Sequence, residues 1–293
     1  MLHRSTQPSI IPNPFFIIGS GRNGSTLLAA LLNNHPEIFI PPEQHALPYS
    51  QMEWYLNPFR SREQKAERLI RRLGSEKHTS NWDLDKEQIF PNITDWSKGL
   101  WSELVNRIYR SYGQQLKLGE NFIWGDKTPL NTHFIPLLWN DFTSAKYIFL
   151  VRDPRDVVLS YSKISSHPAS KIDYAIWKWK DSFNQYEYLK KKRADLFLVH
   201  YHELVEQPAR TVESLLGFLG KPFQSGLLDP TKNVKQLGVE RATHHQNLKR
   251  GISSTSVGRW KYELSENAVR LVEQRCAQEM KILGYELKKA KTK

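Results

Sequence analysis

The segment from Gly19 to Thr26 combines glycines, a cation and hydroxyl groups: Gly19, Ser20, Gly21, Arg22, Asn23, Gly24, Ser25 and Thr26. Glycines let the backbone fold closely around an anion, and Arg22 adds a positive charge. Apolar residues precede this segment and leucines at helical spacing follow it, which predicts a strand, a tight turn and a helix. Because the free N–H groups of a helix start attract anions, the pattern predicts a phosphate-binding loop.

The loop differs from that of nucleoside triphosphatases at one position. In the pattern G-x-x-x-x-G-K-[ST], the lysine reaches the β- and γ-phosphates, whereas this chain has Ser25 there. We therefore expect a site for a nucleotide-like anion that lacks the group an ATPase uses. An ordinary glycine turn is the alternative, but it does not explain why a cation and hydroxyls accompany the glycines.

A second anion site is predicted around Arg152, which follows the apolar run 147–151. Asp153 is a good N-cap and Pro154 suits the first position of a helix, so Arg152 ends a strand. Ser160 then lies on the second turn of the following helix. A triphosphatase would need a magnesium-binding aspartate at this strand end, not a cation. A simple ion pair of Arg152 with a neighbouring carboxylate is the alternative.

Two further segments place polar groups where ligands bind in open α/β sheets, beyond the carboxyl ends of strands. Glu43 and His45 follow a short predicted strand at 37–40, and Lys127 follows another at 121–124. The basic segment 249–261 has no hydrophobic period and could wrap a phosphate. Its candidate ligands are Ser256, Gly258, Arg259, Trp260 and Lys261. A surface lysine and a solvated loop are the alternatives.

The alternation of strands and helices predicts an α/β fold: a P-loop-type three-layer sandwich with a central, mainly parallel sheet flanked by helices. A last strand is predicted at 196–201, ending at Tyr201. We interpret residues 1–293 as a single domain with a mostly helical insertion at about 49–116, which is expected to cover the site. In a helix beginning near Ile172, the residues Ile176, Trp179 and Phe183 predict a buried stripe, with the intervening lysines solvated. A basic aromatic surface formed by Trp177 and these lysines is the alternative.

Composition limits the class of protein. Hydrophobic residues make up 39% of the chain and charged residues 25%, as in globular proteins. The formal charge of +12 predicts attraction to anions, among them nucleic acid, acidic lipids and small polyanions. Cys276 is the single cysteine, which fits a reducing compartment. We find neither an apolar run long enough to span a bilayer nor a signal-peptide core at the N-terminus, and expect a cytoplasmic location.

In their order along the chain, these motifs resemble the sulfotransferases that use 3′-phosphoadenosine 5′-phosphosulfate (PAPS), from Phe15 to about Leu264. Gly19–Thr26 resembles their 5′-phosphosulfate loop; Arg22 occupies a position that is lysine in cytosolic members and arginine in tyrosylprotein sulfotransferases. Arg152 and Ser160 are similar to the pair that binds the 3′-phosphate. Residues 256–261 resemble a G-x-x-G-x-W-K motif that lacks its first glycine. The resemblance implies that the cofactor contacts are Gly19 to Thr26, Arg152, Ser160, Tyr201, Ser256, Gly258, Arg259, Trp260 and Lys261.

The resemblance also implies catalytic roles for Arg22, Glu43 and Lys127, with Glu43 as general base and His45 as its rival. The implied reaction, of EC 2.8.2 type, transfers a sulfuryl group in line from PAPS to a hydroxyl and releases 3′-phosphoadenosine 5′-phosphate (PAP), without a metal. Hydroxyls of small molecules, carbohydrates, lipids and peptides are all compatible acceptors. The reaction requires no nucleic acid, and the sequence does not determine the oligomeric state. A P-loop nucleotide kinase and a non-enzymatic polyanion binder are the competing interpretations.

Overall fold

The computed structural model describes residues 13–75, 82–85, 89, 100–116, 118–119, 121–165, 167–224, 226–233, 237–238 and 251–288. Within them a central sheet contains β1 (Phe15–Ile18), β2 (Ile38–Phe39), β3 (Ile123–Asp126), β4 (Lys146–Val151) and β5 (Asp195–His200). The strand order is β2-β3-β1-β4-β5, and every neighbouring pair is parallel. The carboxyl ends of all these strands therefore share one edge, with β1 in the middle.

Helices connect the strands and cover both faces of the sheet. In chain order they are α1 (Ser25–Leu32), α2 (Ala46–Leu56), α3 (Arg62–Ser75), α4 (Trp101–Gln115), α5 (Pro129–Thr132), α6 (Ile135–Asp141), α7 (Pro154–Ser162), α8 (Ile172–Lys191), α9 (Tyr201–Glu206), α10 (Pro208–Leu219), α11 (Trp260–Glu263) and α12 (Glu266–Ile282). Short 3₁₀ turns occur at Pro168–Ser170, Pro230–Asn233 and Ser254–Ser256.

The side chains of β1 alternate between two separate hydrophobic clusters. Phe15 and Ile17 pack on one face with residues of α1 and α10, whereas Phe16 and Ile18 pack on the other with residues of α4, α8 and α12. All four side chains are almost fully buried, as expected for a strand in the middle of a parallel sheet. The two clusters and the parallel sheet confirm the predicted α/β sandwich.

One strand lies two residues further along the chain than predicted. The sequence predicts a strand at 121–124, with Gly125 in the loop that follows it. It lies within β3 instead, where a Cβ on it would approach the ring of Phe15 to 2.3 Å. The close approach of two strands therefore requires glycine here. The shift places Lys127 directly after the last residue of β3.

The segment between β2 and β3 is helical where the structure describes it, in α2, α3 and α4. The repeat of Ala66, Leu69, Ile70 and Leu73 forms the buried face of α3. A helix was predicted from Trp96; residues 96–99 lie outside the described part, and α4 begins at Trp101. The division into one domain with an insertion at about 49–116 stays a prediction.

Candidate active site

Hydrogen bonds from neighbouring elements hold the loop between β1 and α1. The Gly19 N–H donates to Oγ1 of Thr132 at 2.9 Å, and the Tyr161 hydroxyl donates to the Ser20 carbonyl at 2.7 Å. From within the loop, the Asn23 amide donates to the carbonyl of Leu150, at 2.7 Å. These partners come from α5, α7 and β4, so the loop is shaped by tertiary contacts as well as by its glycines.

Gly24 allows the aromatic ring of Tyr201 to lie directly against the loop. Its φ is +96°, a left-handed conformation that favours glycine. A Cβ added there would approach the Tyr201 ring to 2.4 Å. Tyr201 is the first residue of α9, immediately after β5, and it is buried. The structure thus brings this predicted cofactor contact to the phosphate-binding loop.

Arg22, Ser160 and Arg152 meet beside the loop. Nε of Arg22 donates to the Ser160 hydroxyl at 3.2 Å, and the guanidinium of Arg152 donates to the Arg22 carbonyl at 3.1 Å. The Arg152 guanidinium also lies 4.7 Å from the centre of the Tyr201 ring. Burial lowers the pKa of Arg22, and the nearby charge of Arg152 lowers it further. Two cations are therefore concentrated at the ends of β1 and β4.

Asp156, which the sequence did not single out, anchors the loop that follows residue 251. Its carboxylate accepts hydrogen bonds from the N–H groups of Gly258, at 2.8 Å, and Trp260, at 3.0 Å. Arg152 donates to the carbonyl of Ser256 in the same loop. The only sequence signal was an acidic residue in the first turn of α7, which is common in helices.

The Trp260 ring packs against Arg155, whose guanidinium lies 3.7 Å from the ring centre. Lys261 follows Trp260, and both residues line the same cavity as Arg152.

Arg259 differs from its neighbours Trp260 and Lys261. Its guanidinium pairs with exposed Glu263 at 2.6 Å, so the structure does not direct it towards the other predicted cofactor contacts.

Glu43 and Lys127 form an ion pair at the mouth of the loop. Nζ of Lys127 lies 3.0 Å from Oε2 of Glu43 and 3.5 Å from the hydroxyl oxygen of Thr26, the second residue of α1. His45 Nε2 lies 3.6 Å from the other Glu43 oxygen. The predicted lysine, carboxylate and histidine are therefore in contact, although they come from the ends of different strands.

The charges around Glu43 outweigh the effect of its burial. Burial raises the pKa of the carboxyl, but the Lys127 charge and hydrogen bonds from His45 and Lys127 lower it to about 2. One third of the Glu43 side chain remains exposed, at 33%, whereas the Lys127 side chain is 1% exposed. Glu43 is accordingly a carboxylate at neutral pH, with a face open to a ligand.

Asp126, the last residue of β3, fixes the turn that presents Lys127. It accepts hydrogen bonds from the Tyr109 hydroxyl at 2.6 Å, the Thr128 N–H at 2.8 Å and the Asn131 amide at 2.8 Å. Burial raises the pKa of Asp126, and these donors act in the opposite direction. Asp126 is thus a positioning residue, and its long-range partner Tyr109 could not be read from the sequence.

A cavity of about 340 Å³ opens between Arg152, Tyr201 and the loop at Gly258. Its lining includes Arg152, Tyr201, Gly258, Trp260 and Lys261, all predicted cofactor contacts. Buried Nε of Arg152 has no hydrogen-bond partner among the described residues. A cationic, aromatic lining with a spare N–H donor fits a phosphorylated nucleoside. No group of three or more His, Cys, Asp or Glu residues in the described ranges could hold a metal ion.

The fold and this site define an α/β protein with a nucleotide-type anion site at the centre of its sheet. The model of the sulfotransferase family matches residues 14–225. The chain therefore belongs to the sulfotransferase family, which confirms the resemblance read from the sequence.

Two curated relatives are protein-tyrosine sulfotransferases. Protein-tyrosine sulfotransferase 1 of Danio rerio is 26% identical over 239 residues, which cover 78% of this chain and 60% of that protein. Protein-tyrosine sulfotransferase A of Caenorhabditis elegans is 23% identical, with 94% of this chain and 68% of that protein covered. The chain thus spans about three fifths of the length of the Danio rerio relative.

Solved structures support the same fold. The sulfotransferase domain from the Synechococcus PCC 7002 olefin synthase superposes with a TM-score of 0.64 and 24% identity, covering 96% of this chain and 99% of that one. The sulfotransferase domain from the curacin biosynthetic pathway superposes with a TM-score of 0.60 and 23% identity, covering 94% of this chain and 99% of that one. In the part of the chain that the structure describes, none of the helices has the length and apolar character needed to cross a membrane.

Family and fold together support sulfuryl transfer to an acceptor hydroxyl. Neither the family match nor the related structures support the competing interpretations, a nucleotide kinase and a non-enzymatic polyanion binder. The departure of Ser25 from the ATPase pattern, noted above, agrees with this result.

Proposed function

We propose that this protein is a sulfotransferase that takes the sulfuryl group from PAPS and transfers it to a hydroxyl, releasing PAP. The observation that carries the proposal is the contact of Lys127 with both Glu43 and Thr26. It places a candidate base and a buried cation at the mouth of an anion-binding loop. A general base and a cation aimed at developing negative charge are what sulfuryl transfer requires.

The residues present fit the donor. The loop at residues 19–26 and the N-terminus of α1 would bind the 5′-phosphosulfate, because helix N-termini attract anions. Arg152, whose Nε is unpartnered, and Ser160 would hold the 3′-phosphate. The Tyr201 ring and the loop at Ser256, Gly258, Trp260 and Lys261 would enclose the nucleoside. Arg259 has the weakest structural support as a ligand, since it pairs with Glu263.

In the proposed reaction Glu43 accepts the proton of the acceptor hydroxyl, whose oxygen forms a bond to sulfur. The bond between sulfur and the bridging phosphate oxygen breaks, and its electron pair stays on the leaving phosphate. Arg22, Lys127 and the N–H groups of the loop stabilise that charge. Proton, sulfuryl group and electron pair are thereby all accounted for without a metal.

The low pKa of Glu43 makes it a weak base until its surroundings change. The Lys127 charge is the main influence that lowers this pKa to about 2. An anionic phosphosulfate beside Lys127 would offset that charge, and the pKa of Glu43 would rise. Glu43 would then gain basicity only when donor is bound. His45, whose Nε2 lies 3.6 Å from the Glu43 carboxylate, remains the rival base.

The acceptor is proposed only as a hydroxyl compound. The curated relatives are named for protein tyrosine, and the related structures come from an olefin synthase and the curacin pathway. Peptide, lipid, carbohydrate and small-molecule hydroxyls all stay within the proposal. The cytoplasmic location predicted from the sequence also stays a prediction.

The direct test of the reaction is PAP release from PAPS in the presence of acceptors. The panel would contain a phenol, a sugar, a fatty alcohol and a tyrosine peptide, with PAP measured by chromatography. We expect at least one acceptor to raise PAP release above the acceptor-free rate, and Arg22→Ala and Glu43→Gln to abolish the increase. PAP release that is unchanged by either substitution would contradict the proposed site.

A further inference from the structure

Lys178, on α8, is a buried cation with an unusual partner. Its side chain is largely enclosed, with 8% of the residue surface exposed. Nζ lies 3.1 Å from Nε2 of His133, which is its one hydrogen-bond partner among the described residues. The sequence predicted that the lysines of this helix are solvated, and for Lys178 that prediction is wrong.

The imidazole of His133 lies between the Asp181 carboxylate and the Lys178 ammonium. Its Nδ1 contacts the Asp181 carboxylate, to which an N–H must donate, so Nε2 is left as the acceptor for Lys178. The Asp181 carboxylate therefore accepts a hydrogen bond from His133 directly, whereas it acts on the Lys178 charge only through space. Within the described ranges Lys178 forms no ion pair with a carboxylate, whereas buried Lys127 pairs with Glu43.

A buried ammonium without a paired anion is unfavourable, because water no longer solvates its charge. Burial lowers the pKa of Lys178, while the charges of Glu43 and Asp181 raise it. Lys178 is linked to the Glu43 and Lys127 pair through His133, which directly follows the short helix after Lys127. An anionic ligand bound between them and the loop would complete the charge balance.

An exposed aromatic surface adjoins this lysine. Trp177 stacks on His133 with ring centres 5.1 Å apart, and Tyr174 stacks on Trp177 at the same distance. Trp177 is 49% exposed and Tyr174 is 41% exposed. His133 directly follows α5, the short helix that begins two residues after Lys127. Lys178 and the aromatic rings are thus connected to the Glu43 and Lys127 pair through one short element.

We propose that Lys178 binds an anionic group on the hydroxyl acceptor, a carboxylate or a phosphoryl group, and so selects acidic acceptors. The inference rests on the proposed function, because it assumes that Glu43 faces the reacting hydroxyl. The exposed parts of the Tyr174 and Trp177 rings provide apolar surface for the body of the acceptor. Asp181 orients His133, and His133 orients the ammonium of Lys178.

The test compares matched acceptor probes on the protein saturated with PAP. The probes are 4-hydroxyphenylacetate, its neutral amide 4-hydroxyphenylacetamide, and 4-hydroxyphenyl phosphate, and ligand-observed NMR titration gives each Kd. We expect the wild type to bind at least one of the two anions about tenfold more tightly than the amide, as for a hydrogen bond to a charged group. The two anions distinguish a carboxylate site from a phosphoryl site.

Lys178→Met should remove this preference, whereas Lys180→Met, which alters an exposed lysine of the same helix paired with Glu279, should keep it. Equal binding of anions and amide by the wild type, including no binding of any probe, would overturn the proposal. So would a preference that persists in Lys178→Met. Lys178→Gln is the second variant if the methionine variant does not fold.

Binding of PAP separates the two levels of inference. PAP affinity is measured first, and an unchanged value in Lys178→Met shows that the donor site is intact. If the wild type fails to bind PAP, the proposed function fails, but the anion preference can still be measured on the free protein. If PAP binds and the preference is absent, only the assignment of Lys178 fails.

Discussion

The ammonium of Lys127 lies 3.0 Å from the Glu43 carboxylate, with the lysine buried and the glutamate open on one side. The pair joins the ends of β2 and β3 to the loop after β1. The charge of the buried lysine holds the pKa of the Glu43 carboxyl well below its ordinary value. This dependence of Glu43 on Lys127 gives the first prediction.

Lys127→Met should raise the pKa of Glu43 from about 2 towards its ordinary value of 4.5, because the main charge that lowers it is removed. At pH 4 a larger fraction of Glu43 would be protonated in the variant than in the wild type. Carbon-13 NMR of labelled glutamate side chains measures this directly. Lys163→Met, at an exposed pair with Glu263, is the control and should leave the Glu43 titration unchanged. A Glu43 pKa still near 2 in Lys127→Met would show that Lys127 is not its main determinant.

Asp156→Asn should weaken PAP binding more than it lowers turnover. The substitution leaves a neutral group to accept from the N–H groups of Gly258 and Trp260, and the loop loses its charge-assisted anchor. We expect a loss of about 1.5 kcal/mol, roughly tenfold in Kd. Calorimetric titration with PAP gives the value. Asp173→Asn, at an exposed pair with Arg275, should bind PAP as the wild type does, and an equal loss in both variants would refute the anchoring role.

Gly24→Ala should destabilise the protein and abolish PAP binding. The alanine must adopt φ near +96° and place its Cβ 2.4 Å from the Tyr201 ring. Gly251→Ala is a matched control, since Gly251 has φ +83° and no atom within 4 Å of the added Cβ. In the control the free energy of unfolding should fall only by the cost of a non-glycine residue at positive φ, about 1–2 kcal/mol. In Gly24→Ala it should fall by more. Urea unfolding measures both; a loss in Gly24→Ala no larger than in the control would contradict the described contact.

Tyr109→Phe should destabilise the turn that carries Lys127, because buried Asp126 loses its hydroxyl donor. The expected loss is about 1.5–3 kcal/mol in the free energy of unfolding, as for hydrogen bonds to charged groups. Tyr112→Phe provides the comparison. Tyr112 stacks on Trp82, and in the described residues its hydroxyl has no hydrogen-bond partner. That control should stay within about 0.5 kcal/mol of the wild type. Similar losses in the two variants would refute the role of Tyr109.

The fold could be predicted from the sequence because its signals are local. Apolar runs mark β1 and β4, Asp153 and Pro154 mark the start of α7, and parallel strands collect their ends at one edge. The exact position of β3 could not be predicted, because the need for glycine at position 125 comes from the Phe15 ring on the neighbouring strand, which leaves no room for a Cβ.

The site was predictable only in part. Strand-end residues such as Arg22, Lys127 and Arg152 could be named, since their positions follow from strand and loop. Asp156, Tyr109 and Lys178 could not, because each acts through a contact with a distant segment: residues 258–260, Asp126 and His133 respectively. On a helix, an acidic residue or a lysine gives no signal that separates such a contact from a solvated surface.

The measurement that tests the central claim most directly is calorimetric titration with PAP, AMP and magnesium-ATP, repeated on Arg152→Ala. A PAPS-dependent sulfotransferase should bind PAP far more tightly than the other two nucleotides, because the proposed site uses Arg152 and Ser160 to recognise the 3′-phosphate. The preference should disappear in Arg152→Ala. Equal binding of all three nucleotides, or no binding of PAP, would contradict the proposed donor and the site assigned to it.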